Sequence, residues 1–438
     1  MLKEKISNHT ARYGVIGMGY VGLPLAVEFA QVGFPVTGFE VDKSKVETLN
    51  RGASYIDDVP STRVAPLVKS GKLGATLDFD QLAQMDVISI CVPTPLSKTR
   101  DPDMTFVEAA TREIGKRLRA GQLVILESTT YPGTTDEYVK DVFAKTGLAC
   151  GRDFFLAFSP ERVDPANTKF GVKNTPKVVG GVDAESGALS AHFYAQAVDR
   201  VIPVSSARAA EMAKLLENTF RSVNIGLVNE VALMCDRLKL DVWEVIDAAA
   251  TKPFGFMKFV PGPGVGGHCI PLDPFYLSWK LRSLNYRARF IELAGEINSE
   301  MPNYVVRKAT DALNDAEKSV KGSRILLLGV AYKDDVADMR ESPALDIQRL
   351  LEEKGADVAY HDPHVPTFRG GHEGHGPLYT SVPLTEQELK RSDLVVVACR
   401  HKAIDFGLVA KNAKIIVDSR NAYPQGKPIP GSARVVRL

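Results

Sequence analysis

Cysteine is scarce in this 438-residue chain: five residues, at 91, 150, 235, 269 and 399, with no Cys-x-x-Cys pair among them. An odd, scattered set of this kind excludes a disulfide framework and a cysteine-based zinc site. A surplus of charge is missing too. Lys and Arg number 54 against 53 Asp and Glu, a net charge of +1, so no global field favours nucleic acid or an anionic membrane as a partner. No apolar run approaches the roughly 20 residues of a membrane-spanning helix; the longest are short, such as Leu394 to Cys399. The opening residues, MLKEKISNHTARY, lack the apolar stretch of a signal peptide, and a cytoplasmic location is expected.

What is present is the make-up of a globular protein, 45% hydrophobic and 24% charged, with room for two to three domains. Short apolar strands alternate with helical stretches in the first half: 13–17, 35–40, 86–92, 123–127, 155–158 and 201–204. Such alternation predicts a parallel, doubly wound sheet. From 206 to 250 the pattern changes to an Ala-, Leu-, Met- and Glu-rich run without proline, which predicts a long helix and a second one from Val242. A Gly/Pro-rich segment at 261–274 interrupts the helices, and a further helical stretch follows to about 320. Alternation resumes with strands at 324–329, 357–361, 393–398 and 413–418. The expected fold is α/β: two Rossmann-like, doubly wound parallel-sheet domains (1–205 and 318–438) joined by a central helical domain (206–317).

Gly17-Met18-Gly19-Tyr20-Val21-Gly22 fits the dinucleotide fingerprint, and it does so between a strand and a helix, with a second strand ending in Glu40. Gly17 permits the tight turn, Gly19 lets a pyrophosphate approach, and Gly22 lets helix and strand close together. The helix N-terminus attracts the phosphates. Glu40 would accept from the ribose hydroxyls and repel a 2′-phosphate, which favours NAD over NADP, although Lys45 nearby counts the other way. Cys269 stands apart from the other cysteines because it follows Gly264-Val265-Gly266-Gly267-His268, where small residues give a ligand access to the thiol; a thiolate there is a candidate nucleophile. On the long helix, Lys214, Asn218, Arg221 and Ile225 recur on one face, either as solvated surface or as oxyanion donors in a cleft. Lys333 and Arg420 follow strands of the second sheet, where they suit phosphate oxygens or plain solvent. His361, His364, His372 and His375 include two His-x-x-His pairs, but they lack a carboxylate framework and no metal is expected.

Taken together, GMGYVGLP, VPTPL (92–96), STTYPGTT (128–135), SPERVDP (159–165), the AEMAKLLENTFRSVNIGLVNE helix, GVGGHCIPLDP (264–274) and VAYKDDVADMRESPALDI (330–347) resemble the UDP-glucose/GDP-mannose dehydrogenase family over nearly the whole chain. The SPER and GGHCIP variants resemble its UDP-N-acetylhexosamine branch, and YIDDVPS (55–61) resembles the N-acetylglucosamine 6-dehydrogenases. The resemblance implies a four-electron oxidation of a sugar C6 alcohol to the acid with NAD, through a cysteine thiohemiacetal and thioester. It implies Cys269 as nucleophile, Lys214 and Asn218 as oxyanion donors, Asp273 as the group that positions or activates water, and Glu161 at the reacting centre. Tyr20, Val21, Thr94 and Thr129 join the glycine loop at the cofactor. Arg162, Val163 and Arg221, with Lys214 and Asn218, meet the UDP-sugar, and Lys333 and Arg420 hold its nucleotide end. The family also implies work in surface-polysaccharide or O-antigen synthesis.

Two departures separate the chain from UDP-glucose enzymes: Leu272 replaces a lysine in Cys-x-Pro-Lys-Asp, and Pro165 replaces a glutamate four residues after Glu161. UDP-N-acetylgalactosamine and UDP-N-acetylmannosamine are the alternative substrates. A two-electron dehydrogenase would need neither Cys269 nor a second nucleotide domain, and an NAD-sensing binding protein would not need Cys269, Lys214 and Asn218. Ile225, Val228, Val231 and Leu233 suggest that the long helix forms a dimer core, so a homodimer or a higher homo-oligomer is expected.

Overall fold

Strands whose residues are buried on both faces need two cores, and alternate residues supply them. The computed structural model describes residues 1–56, 58–97, 101–163, 167, 169–370 and 376–438. Its first sheet contains β1 (Tyr13–Ile16), β2 (Val36–Phe39), β3 (Leu73–Thr76), β4 (Val87–Ile90), β5 (Leu123–Leu126), β6 (Phe155–Phe158), β7 (Lys177–Gly181) and β8 (Val201–Val204). Along β5, Leu123 and Ile125 enter one core with Tyr13, Phe29, Phe34 and Phe193, while Val124 and Leu126 enter the other with Ile88, Ile90 and Phe143. Phe29 and Phe193 stack at 4.2 Å, and each fully buried ring of this kind contributes about 1.5–3 kcal/mol.

The strand order is β3-β2-β1-β4-β5-β6-β7-β8, so the chain reverses direction across the sheet between β1 and β4. That reversal is the crevice where open α/β sheets bind dinucleotides. The expectation of a wholly parallel sheet needs one correction, because β6 and β7 run antiparallel. The described residues between these two strands form no helix, so the chain returns directly instead of crossing over. β3 and β7 escape the sequence reading because Leu73-Gly74-Ala75-Thr76 lacks a β-branched run and β7 opens on a lysine.

The second sheet is built from β9 (Arg324–Leu328), β10 (Asp357–His361), β13 (Leu394–Val397), β14 (Ile415–Asp418) and β15 (Arg434–Arg437), in the order β10-β9-β13-β14-β15. All of its pairs are parallel. A small antiparallel hairpin, β11 (Thr367–Arg369) with β12 (Leu378–Thr380), lies outside it. Ile325 and Leu327 face the helix Arg289–Asn314, while Leu326 and Leu328 face a second core with Val395 and Val397.

The long helix spans Ala207–Leu238 and a second helix spans Val242–Ala250, as the sequence predicts. The chain divides into two compact units, Met1–Glu217 with Phe275–Tyr286, and Asn218–Pro274 with Arg287–Leu438. Ala207 and Ala210 belong to a core of the first sheet, whereas Val228, Ala232 and Cys235 pack with Val242 and Ile246 in the second unit.

Candidate functional site

In the first unit the expected cofactor residues gather at the C-terminal ends of neighbouring strands. Gly17 follows β1 with φ of +88°, and a Cβ there would stand 2.6 Å from the Cys91 carbonyl oxygen. A Cβ at Gly22 would stand 1.9 Å from the Gly17 oxygen, so only glycine lets the helix Gly22–Gln31 start so close to the strand. At Gly19 the same test meets nothing within 4 Å, the open approach that a pyrophosphate needs. Tyr20 is exposed beside it, and Val21 caps the helix with no side-chain hydrogen bond of its own. Glu40 is buried after β2 and accepts from the N–H groups of Met18 (3.1 Å) and Val41 (2.8 Å), which fixes the loop. Lys45 stands 3.6 Å from Glu40 and partners that carboxylate. Thr94 and Thr129 lie in the half-buried loops after β4 and β5. This loop, its open face and its buried acid fit NAD.

Glu161 follows β6 in the same unit. Its Oε1 accepts from Arg162 N (2.7 Å) and Val163 N (2.6 Å), and its main-chain carbonyl accepts from Lys214 Nζ at 2.7 Å. Burial alone would raise the Glu161 pKa, but the Lys177 ammonium, the two N–H groups and Lys214 hold it below the usual carboxylate range. Arg162 turns away from Glu161: its guanidinium pairs with Glu217 at 2.7 Å and donates to the Pro176 carbonyl. Val163 packs against the core. Pro165, and with it the expected departure from the UDP-glucose pattern, lies outside the described residues.

The second unit holds Asn218, Arg221, Cys269, Asp273, Lys333 and Arg420. Asn218 is buried and donates to Asp273 Oδ2 at 2.5 Å, whereas Arg221, one turn on, is exposed. The shared polar face of the helix therefore divides into a buried amide and an exposed guanidinium. Cys269 is half-buried, in the turn that enters the helix Asp273–Arg282, and its carbonyl accepts from Asp273 N at 2.8 Å.

The glycines before Cys269 open the loop less to a ligand than to the protein's own chain. A Cβ at Gly266 would lie 2.6 Å from Tyr332 Cβ, and one at Gly267 would lie 2.9 Å from the Tyr332 ring. Gly267 N also donates to the Arg340 carbonyl. The cysteine loop is thus seated on the segment after β9 that carries Lys333. Arg420 is within reach of the same loop, because a Cβ at Gly262 would lie 3.1 Å from its Nη1. Arg420 also approaches Asp334 at 3.4 Å.

Several supporting residues were invisible to sequence reasoning. Asn229 accepts from Gly262 N and donates to Asn298, which in turn donates to the Ser222 carbonyl, a buried amide chain at the start of the cysteine loop. Asparagines inside helical, otherwise apolar patterns were their only signal. Glu211 is buried and accepts from Gly133 N (2.7 Å), Thr135 N (2.9 Å) and Thr135 Oγ1 (2.6 Å), which fastens the end of the STTYPGTT segment.

Among the described residues, Asp335, His364 and His401 place possible ligand atoms within 4.8 Å of one another. Both nitrogens of His401 are already engaged, however. Nδ1 accepts from Asp335 N and Nε2 faces Asp362 at 3.1 Å, which puts the proton on Nε2 and leaves no lone pair for a metal. His361 bonds to the Val382 carbonyl, while His372 and His375 lie outside the described residues. No helix of the described residues is long and apolar enough to cross a membrane.

Comparison with known proteins supplies the family. Residues 11–198 match the UDP-glucose/GDP-mannose dehydrogenase family, NAD binding domain; residues 208–300 match its central domain, and residues 326–425 its UDP binding domain. A UDP-N-acetyl-D-glucosamine 6-dehydrogenase of Pseudomonas aeruginosa is 36% identical over 89% of this chain and 90% of its own length. A UDP-N-acetyl-D-mannosamine dehydrogenase of Pyrococcus horikoshii is 35% identical over 94% of this chain and 95% of its own. The solved structure of UDP-D-ManNAc dehydrogenase from Pyrococcus horikoshii superposes with a TM-score of 0.88 at 33% identity, covering 97% of this chain and 99% of that one. With all three domains present in order and relatives aligned nearly end to end, this chain belongs to the UDP-glucose/GDP-mannose dehydrogenase family and carries its NAD-binding domain.

Proposed function

We propose that this chain oxidises the C6 alcohol of a UDP-N-acetylhexosamine to the carboxylate, with UDP-N-acetylglucosamine as the first-choice substrate. The observation that carries the reading is the buried Asn218–Asp273 pair, in contact through the Asp273 N–H with the carbonyl of Cys269. NAD, when bound, accepts the hydride in each of two oxidations. The first oxidation leaves an aldehyde. Cys269 Sγ then adds to its carbonyl carbon, the C–S bond forms, and the carbonyl electron pair moves to oxygen. Asn218 and Lys214 stabilise that oxyanion in this reading, the amide as a neutral donor and the ammonium as a charge. The second oxidation converts the thiohemiacetal to a thioester. Water attacks the thioester, the C–S bond breaks, and the carboxylate leaves with the thiol restored. Asp273 orients Asn218 and the incoming water. Arg221, Lys333 and Arg420 are assigned to the UDP-sugar.

Leu272 in place of lysine after Cys269-Ile270-Pro271 supports an N-acetyl sugar over UDP-glucose, and the relatives' names divide between the glucosamine and mannosamine epimers. UDP-N-acetylmannosamine is therefore the alternative. The test is the NADH formed per sugar consumed, with each UDP-N-acetylhexosamine and UDP-glucose supplied separately. A ratio of two with one N-acetyl sugar is expected; a ratio of one moves the two-electron dehydrogenase ahead. Cys269→Ser should abolish carboxylate formation, and an unchanged acid yield removes Cys269 from the reaction.

A further inference from the structure

Glu127, the last residue before the Ser128-Thr129-Thr130 loop, is fully buried at the end of β5. Lys177, the first residue of β7, is 4% exposed and donates to Glu127 Oε2 at 2.6 Å. The other Glu127 oxygen accepts from the Tyr194 hydroxyl at 2.6 Å, so that carboxylate is fixed from both sides. The Lys177 ammonium also stands 3.5 Å from Glu161 Oε2 and 5.2 Å from the centre of the Tyr194 ring. One buried cation is thus shared by two carboxylates, with the Tyr194 ring beside it. Charges are brought into a protein interior only when they are paired, because the desolvation cost is otherwise unrecovered.

The arrangement extends to Lys214. Oε1 of Glu161 folds back onto the N–H groups of Arg162 and Val163, and this turn presents the Glu161 carbonyl to Lys214 Nζ. A carboxylate bound to two N–H groups and a buried ammonium is a pin for its loop, and a poor carrier of protons. We propose that Lys177, backed by Glu127, is a positioning residue: it keeps the Glu161 carboxylate turned inward, and through the Glu161 carbonyl it sets the place of the Lys214 ammonium. The inference rests on the functional reading only for its kinetic consequence. The pinning itself belongs to the first unit alone.

The test compares the full chain with Lys177→Met, Lys177→Arg and the double variant Glu127→Gln/Lys177→Met, which neutralises Glu127 together with its cation so that Glu161 is the one carboxylate of the cluster left without Lys177. Amide hydrogen exchange at Arg162 and Val163 reads the pin directly, with no substrate present. Faster exchange is expected in Lys177→Met and in the double variant, with protection kept in Lys177→Arg. Unchanged exchange in a folded double variant overturns the proposal, whatever the enzyme oxidises.

The kinetic arm uses NAD and whichever UDP-N-acetylhexosamine the wild type turns over. Misplacing Lys214 should lower kcat about 100-fold with the KM values nearly unchanged. The acid limb of kcat should also move to higher pH, since Glu161 then loses the cation that keeps it ionised. A wild-type acid limb in the double variant, with kcat within threefold, overturns the positioning role. If the wild type oxidises no UDP-N-acetylhexosamine, the functional reading fails while the exchange result still decides the pin.

Discussion

Lys214 donates to a carbonyl, which accepts a hydrogen bond without cancelling the charge. The ammonium sits at a half-buried site, where a hydrogen bond to an oxyanion is stronger than in open water. Lys214→Ala should therefore lower kcat by about 10²–10³-fold while the protein remains folded. Steady-state rates with the preferred UDP-sugar check this, and a loss under tenfold returns Lys214 to the role of surface charge. Cys269, Lys214, Asn218 and Asp273 could be put forward as candidates from the sequence because each sits in a short contiguous motif. The sequence did not reveal Lys177 with Glu127, or Asn229 with Asn298, because those residues acquire meaning only from partners tens of positions away. A lysine opening a strand and a glutamate closing one read as ordinary strand ends until the sheet brings them together.

At the scale of an element, the segment after β9 is held by Asp362, which follows β10. Its Oδ2 accepts from Val330 N (2.8 Å) and Ala331 N (3.2 Å) and faces His401, while Oδ1 accepts from His364 N. Burial alone would push its pKa up, but His401 and these N–H groups bring it down to about 2. A depressed carboxyl pKa means that the folded state favours the ionised form. The resulting stability is present above the unfolded value of about 3.9 and is lost as pH falls through the folded value. Asp362→Asn should lower the melting temperature at neutral pH, and its gap to wild type should close between about pH 4 and pH 2. Thermal melts across that range check it; a constant gap shows that the charge contributes nothing. The strands flanking this segment, β9 and β10, were legible as apolar runs. β15 was not, because Arg434-Val435-Val436-Arg437 offers only two apolar residues at the edge of the sheet.

At the scale of the whole molecule, the exposed face of the long helix bears on assembly. The four apolar residues that the sequence suggested for a dimer core are not one exposed face. Val228 is buried in the chain's own core, Val231 packs on that core, Leu233 packs against the core of the second sheet, and Ile225 is half-buried. Sequence shows that such residues are apolar, but which side of a helix its own chain covers is settled only by the tertiary fold. The exposed apolar stripe consists of Phe220 (44%), Leu227 (53%), Met234 (48%) and Leu238 (68%). Spacings of seven and four residues keep these side chains on one narrow face, the pattern of a helix seam. Covering each of these half-exposed side chains would contribute about 1 kcal/mol, which favours burying the stripe. Light scattering should show a dimer for the wild type at micromolar concentration, and a monomer for Leu227→Glu/Met234→Lys. A wild-type monomer, or a variant that remains dimeric, would mean that the stripe is not the interface.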